Sequence, residues 1–265
     1  MLLLGGLDPS GGAGITVDAT VAALHGVEPL PVALTTTVQG LRGFVAKQPI
    51  AERVWREQVA TVLADGKIAA VKVGYVGDPA LVAVVAEAVR ALPAGTHVVV
   101  DPVLSATAGG MHDGDALVAA YREHLVPLAT LLTPNGPELQ QLADGDAESL
   151  LRVEAPLRAE SPLRSGAGAV LHKGGHGEGD QAIDELWTGE PPYRFARPRH
   201  DCGPVRGTGC ALASAIACQL ALARNLVESC RLAGDWLASL LVHVRPRPSG
   251  LPRLLPLNRG GTAPR

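Results

Sequence analysis

Short apolar, β-branched runs alternate with longer stretches of helical periodicity over the first half of the chain. Four such pairs occur: PVALTTTV before AERVWREQVATVLAD, IAAVKVGYV before DPALVAVVAEAVRAL, HVVVDPVL before DGDALVAAYREHL, and ATLLTPN before GPELQQLAD. The short runs do not alternate with polar residues, which is typical of strands buried on both faces. The pattern predicts an α/β fold with a mostly parallel central sheet and helices on both faces.

The pattern changes after the run AVLHKGG. IDELWTG and YRFARPR predict an antiparallel hairpin, and two helical stretches follow over roughly 209–242. No linker rich in Pro and Ser divides the chain, so we expect a single domain over residues 1–244. The tail, 245–265, is dense in Pro, Gly and Arg and has no acidic residue, so we expect it to be largely disordered.

Composition narrows the class of partner. A net charge of −3 gives no overall basic field, so nucleic acid and anionic membrane surfaces are disfavoured and a small-molecule partner is favoured. No apolar run approaches the length of a membrane span, and the opening LLLGG is too short for a signal peptide, so we expect a cytoplasmic protein. The four cysteines lack CxxC spacing and predict neither a zinc site nor a disulfide framework.

Ligands of parallel sheets bind at the carboxyl ends of the strands. Polar or glycine-rich groups follow six of the predicted strands: Asp8 with the GGAG turn, Gln39, Gly74 with Tyr75, Asp101, Asn135 with Glu138, and Lys173. The first of these turns, GLDPSGGAGITVD, fits neither the P-loop nor the dinucleotide motif. It is either a plain strand-to-helix connection or a loop that touches a ligand.

The sharpest chemical signal is RGTGCALASAIACQLA, residues 206–221. Glycines around a threonine open a long helix of small residues, so the N–H groups of Gly207, Thr208, Gly209 and Cys210 predict an anion site reinforced by the helix dipole. A thiol in the first turn of a helix has a lowered pKa. Cys210 is therefore a candidate base or nucleophile, the alternative being a packed thiol beside a helix cap.

Six motifs occur in an order and at spacings that resemble a known family: DPSGGAGI, VKVGY, VVVDPV, TPNGPE, KGGH and GTGC. Over roughly residues 2–242 the chain is similar to the hydroxymethylpyrimidine/phosphomethylpyrimidine kinases of thiamine biosynthesis, which are ribokinase-like. The resemblance implies phosphorylation of 4-amino-5-hydroxymethyl-2-methylpyrimidine, and then of its monophosphate, by ATP with Mg²⁺.

The resemblance also assigns roles to residues. Cys210 would take the proton of the substrate hydroxyl, and the amides of Gly207, Thr208 and Gly209 would hold the transferring phosphoryl group. Gln39 would read the pyrimidine ring, as an amide that both donates and accepts. The remaining substrate contacts would come from the first loop and the end of the VKVGY strand: Asp18, Gly6, Gly12, Gly74 and Tyr75.

The NxxE motif of the superfamily matches Asn135 and Glu138. Glu138 would organise Mg²⁺ with help from Asp101, because hard oxygen ligands suit this ion. Asn135 and Lys173 would contact ATP, Lys173 as a compact cation near its phosphates.

The chain departs from the family at several positions. Family members usually have a Thr-Lys-Asn-Thr-His-like stretch before GTGC, whereas this chain has DCGPVR, so Arg206 replaces the histidine and the nucleotide contacts of this loop are not carried over. Tyr75 stands where members often carry Met, and Gly40 follows Gln39 in place of an asparagine. Pro156 and Pro162 interrupt an expected helix.

Two other functions fit the same residues. A pyridoxal/pyridoxine kinase of the same superfamily acts on a similarly flat, nitrogen-containing ring that carries a CH2OH group, and a non-catalytic pyrimidine-sensing domain would keep the pocket without turnover. The partners expected are a pyrimidine substrate and ATP, and the sequence leaves the oligomeric state open, a homodimer included.

Overall fold

The computed structural model describes residues 1–40, 43–104, 114–151, 166–189, 191–200, 202–244 and 251–254. Within these ranges nine strands form one sheet: Leu2–Leu7 (β1), Leu30–Gly40 (β2), Gly43–Pro49 (β3), Ala70–Val73 (β4), His97–Val100 (β5), Leu131–Leu132 (β6), Val170–His172 (β7), Gln181–Trp187 (β8) and Tyr193–Pro198 (β9). Their order is β3-β2-β1-β4-β5-β6-β7-β8-β9. In this order, each pair of neighbours between β2 and β7 is parallel. The pairs β3–β2, β8–β7 and β9–β8 are antiparallel.

The helices of the described residues cover both faces of this sheet. They are Gly14–Leu24 (α1), Glu52–Ala64 (α2), Pro79–Arg90 (α3), Gly114–Ala120 (α4), Gly136–Ala143 (α5), Thr208–Ala221 (α6) and Leu226–Leu241 (α7). A further turn, Tyr121–Leu125, continues α4.

Alternate residues of the strands pack into two separate cores. Leu2 and Leu4 of β1 join the core that contains Trp55 of α2, whereas Leu3 joins the core that contains Ile216 of α6. A strand with apolar side chains on both faces has no polar alternation, which is why its sequence reads as a continuous apolar run.

The predicted fold is confirmed: the chain is a single α/β unit with a mostly parallel sheet, and IDELWTG and YRFARPR form the β8–β9 hairpin. Strand β3, which makes a second hairpin with β2, was not predicted. The described residues contain no helix that is both long and apolar enough to span a membrane. The predicted helix break at Pro156 and Pro162 lies outside the described residues.

The predicted disorder of the tail is wrong at residues 251–254. Leu254 is fully buried, and the backbone pairs with that of Arg206: the Arg206 N–H donates to the Pro252 carbonyl, and the Leu254 N–H donates to the Arg206 carbonyl. Burial of this leucine and two backbone hydrogen bonds offset the entropy of ordering a short segment. The rest of the tail, 245–250 and 255–265, lies outside the described residues.

Candidate active site

A cavity of about 800 Å³ opens where the carboxyl ends of the parallel strands meet the starts of α1 and α6. Most of the predicted site residues line it: Gly6, Gln39, Tyr75, Asp101, Asn135, Glu138, Lys173, Gly207, Thr208, Gly209 and Cys210. Asp18, Gly12 and Gly74 do not line it. The topology thus gathers residues from seven distant segments into one site, as expected for this class of sheet.

The start of α6 forms one wall of the cavity. Gly207 caps the helix in the left-handed conformation, with φ of 85°. The Ala211 N–H is bonded to the Gly207 carbonyl, which leaves the amides of Thr208, Gly209 and Cys210 without partners inside the helix. A Cβ on Gly209 would lie 3.4 Å from Lys173 Nζ, so an ammonium group stands beside these amides. Free amides and a cation together suit a phosphate group.

Lys173 links two carboxylates of the cavity. Its Nζ lies 2.9 Å from Asp101 Oδ1 and 3.7 Å from Glu138 Oε2. Burial alone would raise the pKa of Asp101, but Lys173 and Lys72 hold that pKa below its ordinary value. Burial raises the pKa of Glu138 to about 7, with Lys173 opposing the shift and Asp101 adding to it. Asp101 is therefore the permanent anion of this group, and Glu138 titrates near neutral pH.

Asn135 and Glu138 also shape the start of α5. The Glu138 N–H donates to Asn135 Oδ1 and the Asn135 N–H donates to Glu138 Oε2, each at 2.8 Å, which makes a capping box. This arrangement fixes the Glu138 carboxylate at the helix start, and both side chains line the cavity. The NxxE motif is thus a structural cap and a part of the site at once.

Asp18 is placed differently from the prediction. It is fully buried, accepts from Lys72 Nζ at 2.9 Å and from Ser214 Oγ at 2.8 Å, and does not line the cavity. A buried carboxylate requires such partners, and here they come from β4 and α6. In this position Asp18 joins α1 to β4 and α6, and its contact with the substrate stays a prediction.

Lys72 was missed as a site residue. Its ammonium, fully buried, also lies 3.8 Å from Asp101 Oδ2. Burial alone would lower the pKa of Lys72, but the charges of Asp18, Cys210 and Asp101 raise it above its ordinary value. A signal was present in the sequence, because a lysine inside the apolar run AVKV of a strand buried on both faces needs an anionic partner.

Gly12 and Gly74 make room for other side chains rather than for a ligand. A Cβ on Gly12 would lie 3.3 Å from the guanidinium carbon of Arg206, and a Cβ on Gly74 would lie 2.7 Å from Lys72 Nζ. Their predicted substrate contacts, which would come from the backbone, stay a prediction. Gly6 and Tyr75 line the cavity together, since a Cβ on Gly6 would lie 3.0 Å from the Tyr75 ring.

Cys210 lies in the cavity but its thiol is not acidic. Burial raises the pKa of Cys210 to about 11; Lys72 opposes the shift, and Asp18 and Asp101 add to it. The prediction of a lowered pKa is therefore wrong, because desolvation and two nearby carboxylates outweigh the position at the helix start. At neutral pH the group is a thiol.

Arg206 occupies the space between the first loop and the end of β2. Its guanidinium, 3% exposed, donates to Asp8 Oδ2 at 2.8 Å and to Gln39 Oε1 at 3.1 Å. The sequence identified Arg206 only as a replacement for histidine. The motif does not show that Arg206 connects its own segment to the first loop and to the end of β2.

Comparison with known proteins agrees with this geometry. The sequence profile of the phosphomethylpyrimidine kinase family matches residues 8–247. The chain belongs to the phosphomethylpyrimidine kinase family. It is an enzyme, and specifically a kinase. The function that the motifs implied, that of a pyrimidine kinase of thiamine biosynthesis, is confirmed.

One curated family member, the hydroxymethylpyrimidine/phosphomethylpyrimidine kinase of Rhizobium meliloti, is 36% identical over 241 residues, covering 89% of this chain and 88% of that protein. The solved phosphomethylpyrimidine kinase of Clostridium difficile 630 superposes with a TM-score of 0.71 at 27% identity, covering 90% of this chain and 97% of that one. The ADP complex of Staphylococcus aureus pyridoxal kinase superposes with a TM-score of 0.80 at 23% identity, covering 95% and 91%. This last likeness shows the shared ribokinase-like fold.

Proposed function

We propose that this kinase transfers the γ-phosphoryl group of ATP to the hydroxymethyl group of 4-amino-5-hydroxymethyl-2-methylpyrimidine, and then phosphorylates the resulting monophosphate. One observation carries the proposal. The free amides at the start of α6, Lys173 and Cys210 adjoin one another in the same cavity that contains Gln39 and Tyr75. A phosphate-binding element and a surface for a flat polar ring therefore share one cavity.

The phosphates of ATP would bind where positive charge is concentrated. Thr208 and Gly209 line the cavity at a helix start, and Lys173 stands beside them. Phosphoryl transfer depends mainly on positioning and on neutralising charge on the oxygens of the transferring group. These groups supply both, because the amides are fixed by the helix and Lys173 is held by Asp101.

The carboxylates of the cavity fit Mg²⁺. Asp101 Oδ2 is buried and accepts no hydrogen bond from the described residues, and Glu138 lies close by across Lys173. The described residues contain no cluster of three or more His, Cys, Asp or Glu side chains that could hold a metal by itself. Mg²⁺ in kinases does not need such a cluster, because one or two carboxylates and the phosphates of the substrate usually hold it. Asp101 and Glu138 would hold Mg²⁺, which when bound neutralises phosphate charge.

The pyrimidine ring would lie against Tyr75 and be read by Gln39. Tyr75 is largely buried but presents part of its surface to the cavity. Gln39 stands at the end of β2, and an amide can pair with the polar edge of an aminopyrimidine.

Cys210 would take the hydroxyl proton as the oxygen attacks phosphorus. With a pKa of about 11 it acts from a small thiolate fraction at neutral pH, and that fraction grows as pH rises.

We assign the catalytic domain to residues 1–244 and place the enzyme in the cytoplasm, where ATP is available. For a homodimer, the exposed side chains of Val38 and Val45 on the β2–β3 hairpin are the apolar surface that a second copy would cover.

The test is ADP release by the purified chain with MgATP and the pyrimidine alcohol, with pyridoxine as the matched alternative. We expect release that depends on the pyrimidine alcohol, and further release when its monophosphate is supplied. Pyrimidine binding without ADP release would instead identify a sensing domain.

A further inference from the structure

Arg206 lines the cavity and is buried, and the proposed reaction does not use it. Its guanidinium donates to Asp8 Oδ2 at 2.8 Å and to Ser10 Oγ at 3.3 Å in the first loop. At the end of β2 it donates to Gln39 Oε1 at 3.1 Å and to the Gly40 carbonyl at 2.6 Å. One side chain thus joins two separate loops.

These contacts determine which end of the Gln39 amide faces the substrate. Arginine has donors only, so the atom of Gln39 that faces it must be the oxygen. The NH2 group of Gln39 has no hydrogen-bond partner among the described residues, and Gln39 lines the cavity. The amide therefore offers its donor to a ligand, and a ring nitrogen with a lone pair is the complementary group.

Arg206 is itself held rigidly. Its backbone pairs with Pro252 and Leu254, so residues 251–254 fix its position from outside the cavity. Asp8, its ion-pair partner, is held by N–H donors from Ser10 at 2.8 Å and Gly12 at 3.2 Å. The absence of a side chain at Gly12 leaves space for the guanidinium. A histidine, which the resemblance places here in other members, has two ring nitrogens and could not reproduce four donor contacts.

We propose that Arg206 is a positioning residue that orients the Gln39 amide so that its NH2 group donates to a ring nitrogen of the substrate. This orientation makes the pocket selective for heterocycles that have an acceptor nitrogen at the ring edge facing Gln39. This inference rests on the proposed function, because it takes the pyrimidine alcohol as the ligand.

The test compares the pyrimidine alcohol with its two analogues in which one or the other ring nitrogen is replaced by C–H. For the wild-type enzyme we expect KM to rise roughly 5- to 100-fold for one analogue, because the donor is then left without a partner. Gln39→Ala and Arg206→Met, which has no donor to hold the Gln39 oxygen, should each remove this discrimination, and the double variant should lose no more than either single variant. KM for ATP should not change. Arg224→Lys, which alters an exposed pair with Glu228, is the control and should keep the discrimination.

If Arg206→Met fails to fold, Gln39→Glu decides the question. A carboxylate would pair with Arg206 through its oxygens and offer no donor, so we expect a stable protein that has lost the discrimination. Full discrimination in Gln39→Glu, or in a folded Arg206→Met, would overturn the inference while leaving the kinase function intact.

Calorimetric titration of the alcohol and both analogues separates the two proposals. If the wild-type chain binds these compounds with the expected discrimination but releases no ADP, the function has failed and the orientation of Gln39 stands. If all three compounds bind the wild-type chain equally, or none binds, the inference is overturned.

Discussion

Cys210 shows how a single residue departs from the rule that its position suggests. A cysteine at a helix start is expected to be acidic, yet burial among carboxylates raises the pKa of this thiol to about 11. The sequence places Cys210 in the site correctly, because the helix start is a local motif. Its pKa depends on Asp18, Asp101 and Lys72, which are distant in the chain and are brought together only by the fold.

The first prediction concerns the pH dependence of kcat. If the Cys210 thiolate is the base, its population below the pKa of about 11 grows about tenfold per pH unit, so kcat should rise from about pH 7 to about pH 10. Cys210→Asp carries a base that is already ionised, so its kcat should be lower at high pH but flat over this range. Cys210→Ser should lose roughly 10²–10⁴-fold in kcat with little change in KM. An identical flat profile in the wild-type and Asp forms would contradict the role.

The second prediction concerns Glu138 and Mg²⁺. The pKa of this carboxyl is raised to about 7, so below that pH the group is protonated and cannot hold the ion. The Mg²⁺ concentration for half-maximal rate should therefore fall as pH rises through about 7. In Glu138→Gln the required concentration should be high and independent of pH, because no titrating ligand remains. A wild-type requirement that does not vary with pH would exclude Glu138 as the ligand.

At the scale of elements, the apolar periodicity predicted the parallel strands, the helices between them and the β8–β9 hairpin. It missed β3, since GFVAKQP is mostly exposed and follows β2 after a short connection. The family resemblance, and not the periodicity, assigned Asp18 to the substrate pocket. Which side of α1 faces the cavity is set by the packing of α6, where Ser214 meets Asp18, and the motif does not contain that information.

The buried pair between Lys72 and Asp18 joins β4 to α1, and its removal should destabilise the fold. Lys72→Met leaves a fully buried carboxylate without its cation, so we expect the free energy of unfolding to fall by about 3–5 kcal/mol. In Lys72→Met with Asp18→Leu no charge is left unpaired, and much of the loss should be recovered. Urea denaturation of both variants measures this. If the double variant is less stable than the single one, the pair is not the source of the effect.

In the whole molecule, nearly all of the candidate catalytic and binding residues lie at one edge of one sheet. The order of motifs along the chain predicted this edge, because parallel strands with helical crossovers bring their carboxyl ends together. The role of residues 251–254 could not be predicted. Their composition is that of a disordered tail, and only the contact with Arg206, nearly fifty residues earlier, gives them a fixed place.

The preference of the chain for the pyrimidine alcohol over pyridoxine is measured by a competition in one reaction. The wild-type chain is given limiting MgATP with equal amounts of 4-amino-5-hydroxymethyl-2-methylpyrimidine and pyridoxine, and the phosphorylated products are identified by ³¹P NMR and mass spectrometry. The account predicts that the pyrimidine monophosphate is the main first product and that its diphosphate follows. Predominant pyridoxine phosphate, or consumption of ATP without either organic phosphate, would contradict it.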